Sequence, residues 1–479
     1  MNSIWNKNIN AFTKRFPALS EFYSSESSHI SQAFLDSEDI VSVTESLFPF
    51  WKIEIAKNGE YTAIENGVKL HSSYKPSAPL REEEDTKSFE DAVTVFLGAG
   101  LGYSLCAWCS KFKNRPVIFL EPDPARFFAA LCILDWSSVF EVEKCVIALS
   151  CPLDQLIPLC ENFSHQISYK LNPAFVKHNE DYFIQAKKLL DRNISKQEIN
   201  RNTLKKFGKL WERNAERNLP YAKKCDGIKI YKDYFKGKDF LLIAAGPSLT
   251  NILPILKDLK KNLVLVCVDT ALRTVLKAGV EPHFIVLTDP QYWAYRHIAG
   301  LKSLSSILIA DAVSYTSVFR FPCKKIVISY SPFPVSENYK RIYEEKGGLS
   351  SGGSVATVAW SFCEYAGASR IFTAGLDLSF PKKETHIKGS TFEQAVHTVS
   401  KRQNTAERCT CNLLFGADVN KSLDYRGSEV LTDSRMKMFA WWFESKVSSA
   451  KLVKTFTLCP ESMMIPGIEW YKDIESLYK

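Results

Sequence analysis

FLLIAAGPSL, residues 240–249, is the stretch of sequence that decides the fold, because an apolar run there meets a glycine, a proline and a serine. A continuous apolar run of this length is typical of a strand buried on both faces of a parallel sheet. Gly246 lets the backbone approach a ligand closely, Pro247 favours a helix start, and Ser248 can cap that helix. The stretch predicts a central strand and a turn, and the turn is either an ordinary cap or an anion and nucleotide site.

Apolar runs recur along the chain after this strand. Leu263–Val268 ends at Asp269, Phe284–Leu287 ends at Thr288-Asp289, and further strands are predicted at Ile307–Ile309, Lys325–Ser329, Arg370–Thr373 and Lys454–Leu458. Strands that alternate with helices indicate a mostly parallel, doubly wound, Rossmann-like sheet. Such sheets bind their ligands at the carboxyl ends of the strands.

Two aspartates stand at such strand ends. Asp269, followed by Thr270, and Asp289 each come directly after an apolar strand, so we expect both beside Gly246 if the strands are neighbours. Their carboxylates could accept from a ribose hydroxyl or a base amino group, or bind Mg²⁺. Capping of the following helix is the competing role.

The stretch from Gly347 to Asp377, GGLSSGGSVATVAWSFCEYAGASRIFTAGLD, predicts a loop of small residues before a helix. Unpaired N–H groups and the positive helix end converge at the loop, where phosphate would bind. The loop residues are Ser351, Gly352, Gly353 and Ser354. Asp377 then brings a third carboxylate to a strand end.

Downstream, His386 lies in the polar sequence ETHIKGS. A titratable imidazole at this position can serve as general base, although a surface histidine without a role is the alternative. His397, on a predicted helix, is a weaker candidate.

The N-terminal region predicts a smaller α/β unit. Between Trp51 and His71, apolar and polar residues alternate on either side of Asn58-Gly59 and Asn66-Gly67, a pattern that indicates β-hairpins. Strands at Val93–Leu97, Val117–Leu120 and Cys145–Leu149 surround the sequence Gly98-x-Gly100-x-Gly102, and Glu121 follows. This pattern suits a nucleoside site of the methyltransferase kind, but a structural unit without ligand is the favoured interpretation.

We therefore expect an α/β protein of 479 residues in four parts. Residues 1–176 form a β-hairpin and Rossmann-like domain, 177–224 a helical connector, 225–400 the catalytic domain, and 401–479 a mainly helical portion with a returning strand. In the last part, Thr410–Arg426 is predicted to be a loop and Asp433–Ser448 a helix.

Charge, cysteine content and the length of apolar runs argue against several classes of protein. The net charge of +8 is lower than that of a typical protein that coats nucleic acid. The 13 cysteines are scattered along the chain, which favours reduced thiols over a disulfide scaffold or a metal site. No apolar run is long enough to cross a bilayer, and no signal peptide is recognisable. A cytoplasmic location is expected.

The motifs LLIAAGPSL, VCVDTAL, GVEPHFIVLTDP, SSGGSVATVAWSFCEYAGASRIFTAGLDLSF and THIKGS resemble the central domain of the motility accessory factors, the Maf proteins of flagellated bacteria. That domain is similar to the archaeal 6-hydroxymethylpterin diphosphokinases, and its motifs resemble those of bacterial sialyltransferases that use CMP-sialic acid. The resemblance covers residues 225–400, while FTLCPESMM resembles the closing strand of the sialyltransferases.

The resemblance implies a glycosyltransferase that moves a pseudaminic or legionaminic acid from its CMP ester to serine or threonine of flagellin. By position, Gly246, Pro247 and Ser248 match the first nucleotide loop, and Ser351, Gly352 and Gly353 match the phosphate loop. Asp377 matches an aspartate near the cytidine ribose, and His386 is the candidate base. CMP is a good leaving group, so no metal or other cofactor is required.

Departures from the sialyltransferase motifs leave two alternatives open. Asp269 and Asp289 stand where the sialyltransferases have asparagines, and a carboxylate repels phosphate unless a metal intervenes. Paired aspartates with Mg²⁺ would suit a pterin diphosphokinase. A non-catalytic factor that binds flagellin is the third reading.

Overall fold

The computed structural model describes residues 3–37, 39–78, 84–85, 92–164, 166–331, 337–416, 418–450 and 452–479. The chain divides into two compact units, Met1–Asn202 and Thr203–Lys479. The long helix Glu180–Lys224 contributes residues to both units.

Strands and helices alternate through most of the chain. The strands are β1 Lys52–Ile55, β2 Tyr61–Glu65, β3 Val68–Lys69, β4 Glu84–Asp85, β5 Val93–Leu97, β6 Val117–Glu121, β7 Cys145–Leu149, β8 Ile167–Leu171, β9 Asp226–Gly227, β10 Asp239–Ile243, β11 Val264–Val268, β12 Phe284–Leu287, β13 Ser303–Asp311, β14 Cys323–Ser329, β15 Arg370–Ala374, β16 Val419–Leu423, β17 Glu429–Asp433, β18 Lys454–Thr457 and β19 Glu469–Trp470. The α-helices are α1 Ser3–Arg15, α2 Pro17–Phe22, α3 Ser24–Asp36, α4 Ile40–Leu47, α5 Tyr103–Lys111, α6 Pro124–Ile133, α7 Ser137–Phe140, α8 Leu153–Glu161, α9 Pro173–Val176, α10 Glu180–Lys224, α11 Leu256–Asn262, α12 Asp269–Lys277, α13 Tyr292–Ile298, α14 Glu337–Glu344, α15 Val355–Tyr365, α16 Thr391–Val399, α17 Ala406–Phe415 and α18 Ser434–Ser449.

The first unit contains the two sheets that the sequence predicts. Strands β1, β2 and β3 pair antiparallel, and Gly59 and Gly67 turn between them at φ +86° and +78°. The second sheet has the order β4-β8-β5-β6-β7 and is parallel except for β4. The predicted hairpins and the Rossmann-like unit are both confirmed.

The first 47 residues contain four helices, α1 to α4, that the sequence analysis does not predict. Trp5 and Phe12 of α1 are completely buried, and the ring of Phe12 packs against those of Phe127 and Phe128 in α6. Serine-rich stretches such as α3 have a weak local helix signal, so packing of their few apolar residues stabilises them.

The second unit is built on a nine-stranded sheet with the order β19-β18-β15-β10-β11-β12-β13-β14-β9. Each neighbouring pair in this sheet runs parallel. The chain leaves β10 toward β11 on one side and later returns to β15 on the other. The predicted doubly wound, Rossmann-like sheet is thus confirmed, and its strand order reverses between β10 and β15, the position where such sheets bind ligands.

The predicted loop at Thr410–Arg426 is wrong. Helix α17 reaches Phe415, and Val419–Leu423 forms β16, which pairs antiparallel with β17. Thr405 caps the start of this helix, because its side chain accepts a hydrogen bond from the Arg408 amide. The cap lies before residue 410, outside the stretch that was predicted to be a loop. The predicted helix at Asp433–Ser448 and the returning strand are confirmed as α18 and β18.

Helix α10 connects the two units along the chain. Its buried Trp211 and Ala215 pack with the core of the second unit, as their three- and four-residue spacing predicts. Among the described residues, no helix combines the length and the apolar character that a bilayer span requires.

Candidate active site

The loops that follow β10 and β15 are joined at the point where the strand order reverses. The Gly246 amide donates to the Gly375 carbonyl at 2.8 Å, and the Ser248 amide donates to Asp377 Oδ2 at 3.0 Å. A Cβ at Gly246 would lie 2.4 Å from that carboxylate and 2.5 Å from the Gly375 oxygen. Glycine is therefore required at this position by contacts within the protein, and Pro247 begins a 3-10 turn in place of the predicted α-helix.

The Asp377 carboxylate is buried and engaged by protein donors. Its Oδ1 accepts from the hydroxyls of Ser248 and Ser462, the latter at 2.8 Å, while Oδ2 accepts from the Ser248 amide. Burial raises the pKa of Asp377 to about 6, since removal from water disfavours the charged form. The geometry therefore gives Asp377 a positioning part between the two loops, whereas the resemblance implied a place near the cytidine ribose for this carboxylate.

Asp269 and Asp289 lie at the carboxyl ends of the neighbouring strands β11 and β12. Asp269 is 4% exposed as the first residue of α12, and Asp289 Oδ1 accepts from the Gln291 amide at 2.7 Å. Burial, with a smaller contribution from the Asp289 carboxylate, raises the pKa of Asp269 to about 7. Partial loss of water raises the pKa of Asp289 as well. The two carboxyl groups thus interact, and Thr270 directly follows Asp269 in the sequence.

Mg²⁺ binds ionised carboxylates, and Asp269 and Asp289 could supply two such ligands. Within the described part of the chain, no cluster of three or more histidine, cysteine, aspartate or glutamate side chains could hold a metal ion. Asp269 and Asp289 would thus supply two carboxyl groups to a cation, with the remaining ligands coming from substrate phosphates or water.

The small-residue loop Ser351–Ser354 leads into α15 at the same edge of the sheet. Its amides are partly engaged within the protein, because the Gly352 amide donates to Thr357 Oγ1 at 2.8 Å and the Gly353 amide to Ser351 Oγ at 3.3 Å. Ser354 caps the helix, accepting from the Ala356 amide at 3.4 Å. A Cβ at Gly352 would meet the Trp442 ring at 2.4 Å. Packing and capping thus account for much of the loop composition that predicted phosphate binding.

His386 approaches this edge from the loop after β15. The neighbouring Ile387 amide donates to the Ala245 carbonyl at 2.9 Å, which holds the loop beside the end of β10. The imidazole stacks on Phe392 with a centroid distance of 4.5 Å, and Phe392 also contacts the ring of His297 at 4.9 Å. Burial, aided by the nearby His297 and Arg435, lowers the pKa of His386 to about 4.

His386 is thus neutral near pH 7, as a general base must be. Its buried Nδ1 makes no hydrogen bond to the described residues. The alternative candidate His397 is exposed and pairs with Glu393 at 2.7 Å, one turn away on α16. His297, which is 5% exposed, was missed because a single histidine on an apolar helix face usually belongs to the core.

The glycine loop of the first unit is packed against protein side chains. A Cβ at Gly100 would meet His71 and Phe175 at 2.8 Å, and one at Gly102 would meet the Trp136 ring at 2.6 Å. Glu121, expected on a ribose, pairs with His178 at 2.8 Å, and both side chains are almost completely buried. The geometry favours the structural interpretation of this unit.

Comparison with known proteins identifies two family domains. Residues 54–145 match the glycosyltransferase Maf N-terminal domain, and residues 213–383 match the 6-hydroxymethylpterin diphosphokinase MptE-like family. The solved Maf glycosyltransferase of Magnetospirillum magneticum AMB-1 has a similar fold, with a TM-score of 0.54 and 14% identity. That similarity covers 98% of this chain and 75% of the other.

Two relatives are uncharacterized proteins of Treponema pallidum (strain Nichols). The first is 31% identical over 221 residues, which are 40% of this chain and 56% of the relative. The second is 25% identical over 262 residues, which are 50% of this chain and 86% of the relative. The chain therefore spans only about half the length of the first relative. The chain thus matches a Maf N-terminal domain and, further along, the MptE-like family, and these matches support its resemblance to the Maf proteins.

Proposed function

We propose that the protein is a glycosyltransferase that moves a nonulosonic acid, pseudaminic or legionaminic, from its CMP ester to serine or threonine of flagellin. The match of residues 54–145 to the glycosyltransferase Maf N-terminal domain supports glycosyl transfer. The observation that carries the proposal is the joining of the Gly246 loop to Asp377 where the strand order reverses, with the His386 loop bonded to the same strand end. In doubly wound sheets this is the nucleotide position.

In this proposal the neutral imidazole of His386 takes the proton of the acceptor hydroxyl. The hydroxyl oxygen then forms a bond to the anomeric carbon as the bond between that carbon and the phosphate oxygen breaks. CMP leaves with the bonding electron pair, so one donor and one acceptor give CMP and the glycosylated side chain. Burial keeps His386 unprotonated and ready to accept the proton.

The departing phosphate would be stabilised by the positive end of α15 and by those amides of Ser351–Ser354 that face the ligand. Gly246, Pro247 and Ser248 would contact the nucleoside through their backbone. Thr270 and Asp289 would contact its hydroxyl groups. Asp377 acts in this scheme as a positioning residue, because its oxygens hold Ser248 in place.

A pterin diphosphokinase activity is the second candidate. The MptE-like match and the interacting carboxyl groups of Asp269 and Asp289 favour it. In that reaction a hydroxyl of 6-hydroxymethyl-dihydropterin attacks the β-phosphorus of ATP, and AMP is released.

One assay with separate arms distinguishes these candidates. The full chain is incubated with flagellin and either CMP-pseudaminic or CMP-legionaminic acid, and separately with ATP, Mg²⁺ and 6-hydroxymethyl-dihydropterin. We expect flagellin to gain one sugar mass per modified residue as CMP appears, with both lost in His386→Ala and kept in His397→Ala. Release of AMP with the pterin would support the kinase, and binding of flagellin without turnover of either donor would support a non-catalytic factor.

A further inference from the structure

Four aromatic residues lie together beyond the carboxyl end of β12; three of them follow Asp289 closely in the chain, and the fourth, Tyr315, packs against them. We call this group the aromatic platform, and it consists of Tyr292, Trp293, Tyr295 and Tyr315. Tyr292 and Trp293 are 49% and 52% exposed. Large apolar rings exposed together are uncommon on a soluble protein and mark interaction surfaces.

The aromatic platform is held firmly in place. Tyr292 meets Tyr315 edge to face, with centroids 5.7 Å apart, and Tyr295 meets Tyr315 at 6.3 Å. The Tyr315 amide donates to the Asp289 carbonyl at 3.2 Å, which attaches the aromatic platform to the end of β12. The side chain of Asn214 adds a hydrogen bond to the Pro290 carbonyl at 2.8 Å. A surface fixed in this way costs little conformational entropy when it binds.

The positive charge beside the aromatic platform favours a ligand with a negative charge. Arg296 is exposed, and its guanidinium lies 5.8 Å from the centre of the Trp293 ring, so a cation stands beside the exposed rings. Aromatic faces are electron-rich and attract the C–H face of a sugar ring. The Arg296 cation would then bind the carboxylate of such a sugar.

The position also agrees with the proposed nucleotide site. Strand β12 is two strands away from β10, which corresponds to roughly 10 Å at ordinary strand spacing. A ribose and a phosphodiester linkage can span that separation between a nucleoside at the Gly246 loop and a sugar at the aromatic platform. Asp269, at the end of β11, lies between the two positions.

We propose that the aromatic platform, with Arg296, binds the carboxylate-bearing sugar ring of the donor and selects acidic sugars. The inference rests on the proposed function for its donor, but the platform makes its own prediction for a free sugar acid. Trp293 and Tyr292 stack on the ring, and Arg296 pairs with the carboxylate.

Calorimetric titration of the full chain with CMP and with the CMP-sugar tests this inference. Trp293→Ala and Arg296→Met are expected to weaken binding of the CMP-sugar about tenfold, while the Kd for CMP changes less than about twofold. Trp293→Phe should retain most of the affinity. Tyr234→Ala is the matched control, because Tyr234 is 68% exposed and precedes the opposite end of β10.

Saturation-transfer NMR with free N-acetylneuraminic acid makes the test independent of the nucleotide. We expect ring-proton signals with the wild type and their loss in Trp293→Ala. If Trp293→Ala binds the CMP-sugar as tightly as the wild type, the inference that the aromatic platform binds the sugar is overturned, and the proposed function stands. If the wild type binds neither CMP nor the CMP-sugar, the proposed function is overturned. The saturation-transfer signal of free N-acetylneuraminic acid then shows by itself whether the aromatic platform binds an acidic sugar. A wild-type dimer that Trp293→Ala converts to monomer would assign the surface to self-association and overturn the inference.

Discussion

Asp377 and Ser248 are bonded twice, because the carboxylate of Asp377 accepts from both the amide and the hydroxyl of Ser248. The two residues are 129 positions apart and follow the strands between which the order of the sheet reverses. The bonds fix the turn that the nucleotide would approach, so the integrity of the candidate site depends on a buried carboxylate.

Replacement of Asp377 should therefore destabilise the second unit. Asp377→Ala leaves the buried donors of Ser248 and Ser462 unpaired, and we expect the free energy of unfolding to fall by about 3 kcal/mol. Urea denaturation followed by circular dichroism measures this loss. Asp258→Ala, which removes an exposed partner of Lys261, should change the value by less than about 1 kcal/mol. Equal losses in the two variants would show that the hydrogen bonds of Asp377 stabilise the fold no more than an exposed ion pair does.

Asp311 gives a prediction on pH. Its buried carboxyl accepts from the Ser331 amide and hydroxyl at 3.1 and 2.6 Å, and burial raises its pKa from 3.8 to about 6. Between these values the folded state holds a proton that the unfolded state has released, so the stabilisation is present at low pH and lost as the pH rises through about 6. Relative to Asp311→Asn, the wild type should lose about 2 kcal/mol of unfolding free energy from pH 4 to pH 7. Urea titrations at several pH values measure the difference, and a constant or rising difference would contradict it.

The packed glycine loop of the first unit predicts a contrast between two substitutions. Gly102→Ala places a methyl group against Trp136 at φ +104°, whereas Gly59→Ala, at φ +86°, meets nothing within 4 Å. We expect Gly102→Ala to cost about 3 kcal/mol or more and Gly59→Ala about 1 kcal/mol, because only the first adds a clash to the backbone strain. Thermal unfolding compares them. Similar midpoints would mean that the space at Gly102 is open to a ligand.

Burial of His386 predicts an unusual dependence of transfer on pH. A base must be unprotonated, and a pKa lowered to about 4 keeps the imidazole neutral, so kcat/KM should be flat between about pH 5 and 8. Initial rates of CMP release across this range test the prediction. An acid limb near the ordinary histidine pKa of 6.5 would show that His386 is solvated or is not the base.

The sequence predicts the strands better than the helices. Val93–Leu97, Cys145–Leu149 and Phe284–Leu287 were predicted with the bounds observed, because each is an apolar run between turn residues. Helices α1 to α4 were not predicted. In α1, for example, the ring of Phe12 packs against those of Phe127 and Phe128, more than 100 positions away. Local pattern does not record such contacts.

In the candidate site, too, some residues could be predicted from the sequence and others could not. Gly246 and Asp377 have local signals, and the sheet brings them together. The contact of Ser462 with Asp377 spans 85 positions and has no signal in the sequence. The burial of His386 depends on Phe392 and His297, so its low pKa could not be predicted either.

A crystal structure of the full chain with CMP tests the central claim most directly. We predict the nucleotide at the edge of the nine-stranded sheet, between the Gly246 loop and the start of α15, with His386 and Asp289 facing the side from which a sugar would extend. CMP bound at the glycine loop of the first unit, or away from the strand ends of the second, would contradict the account.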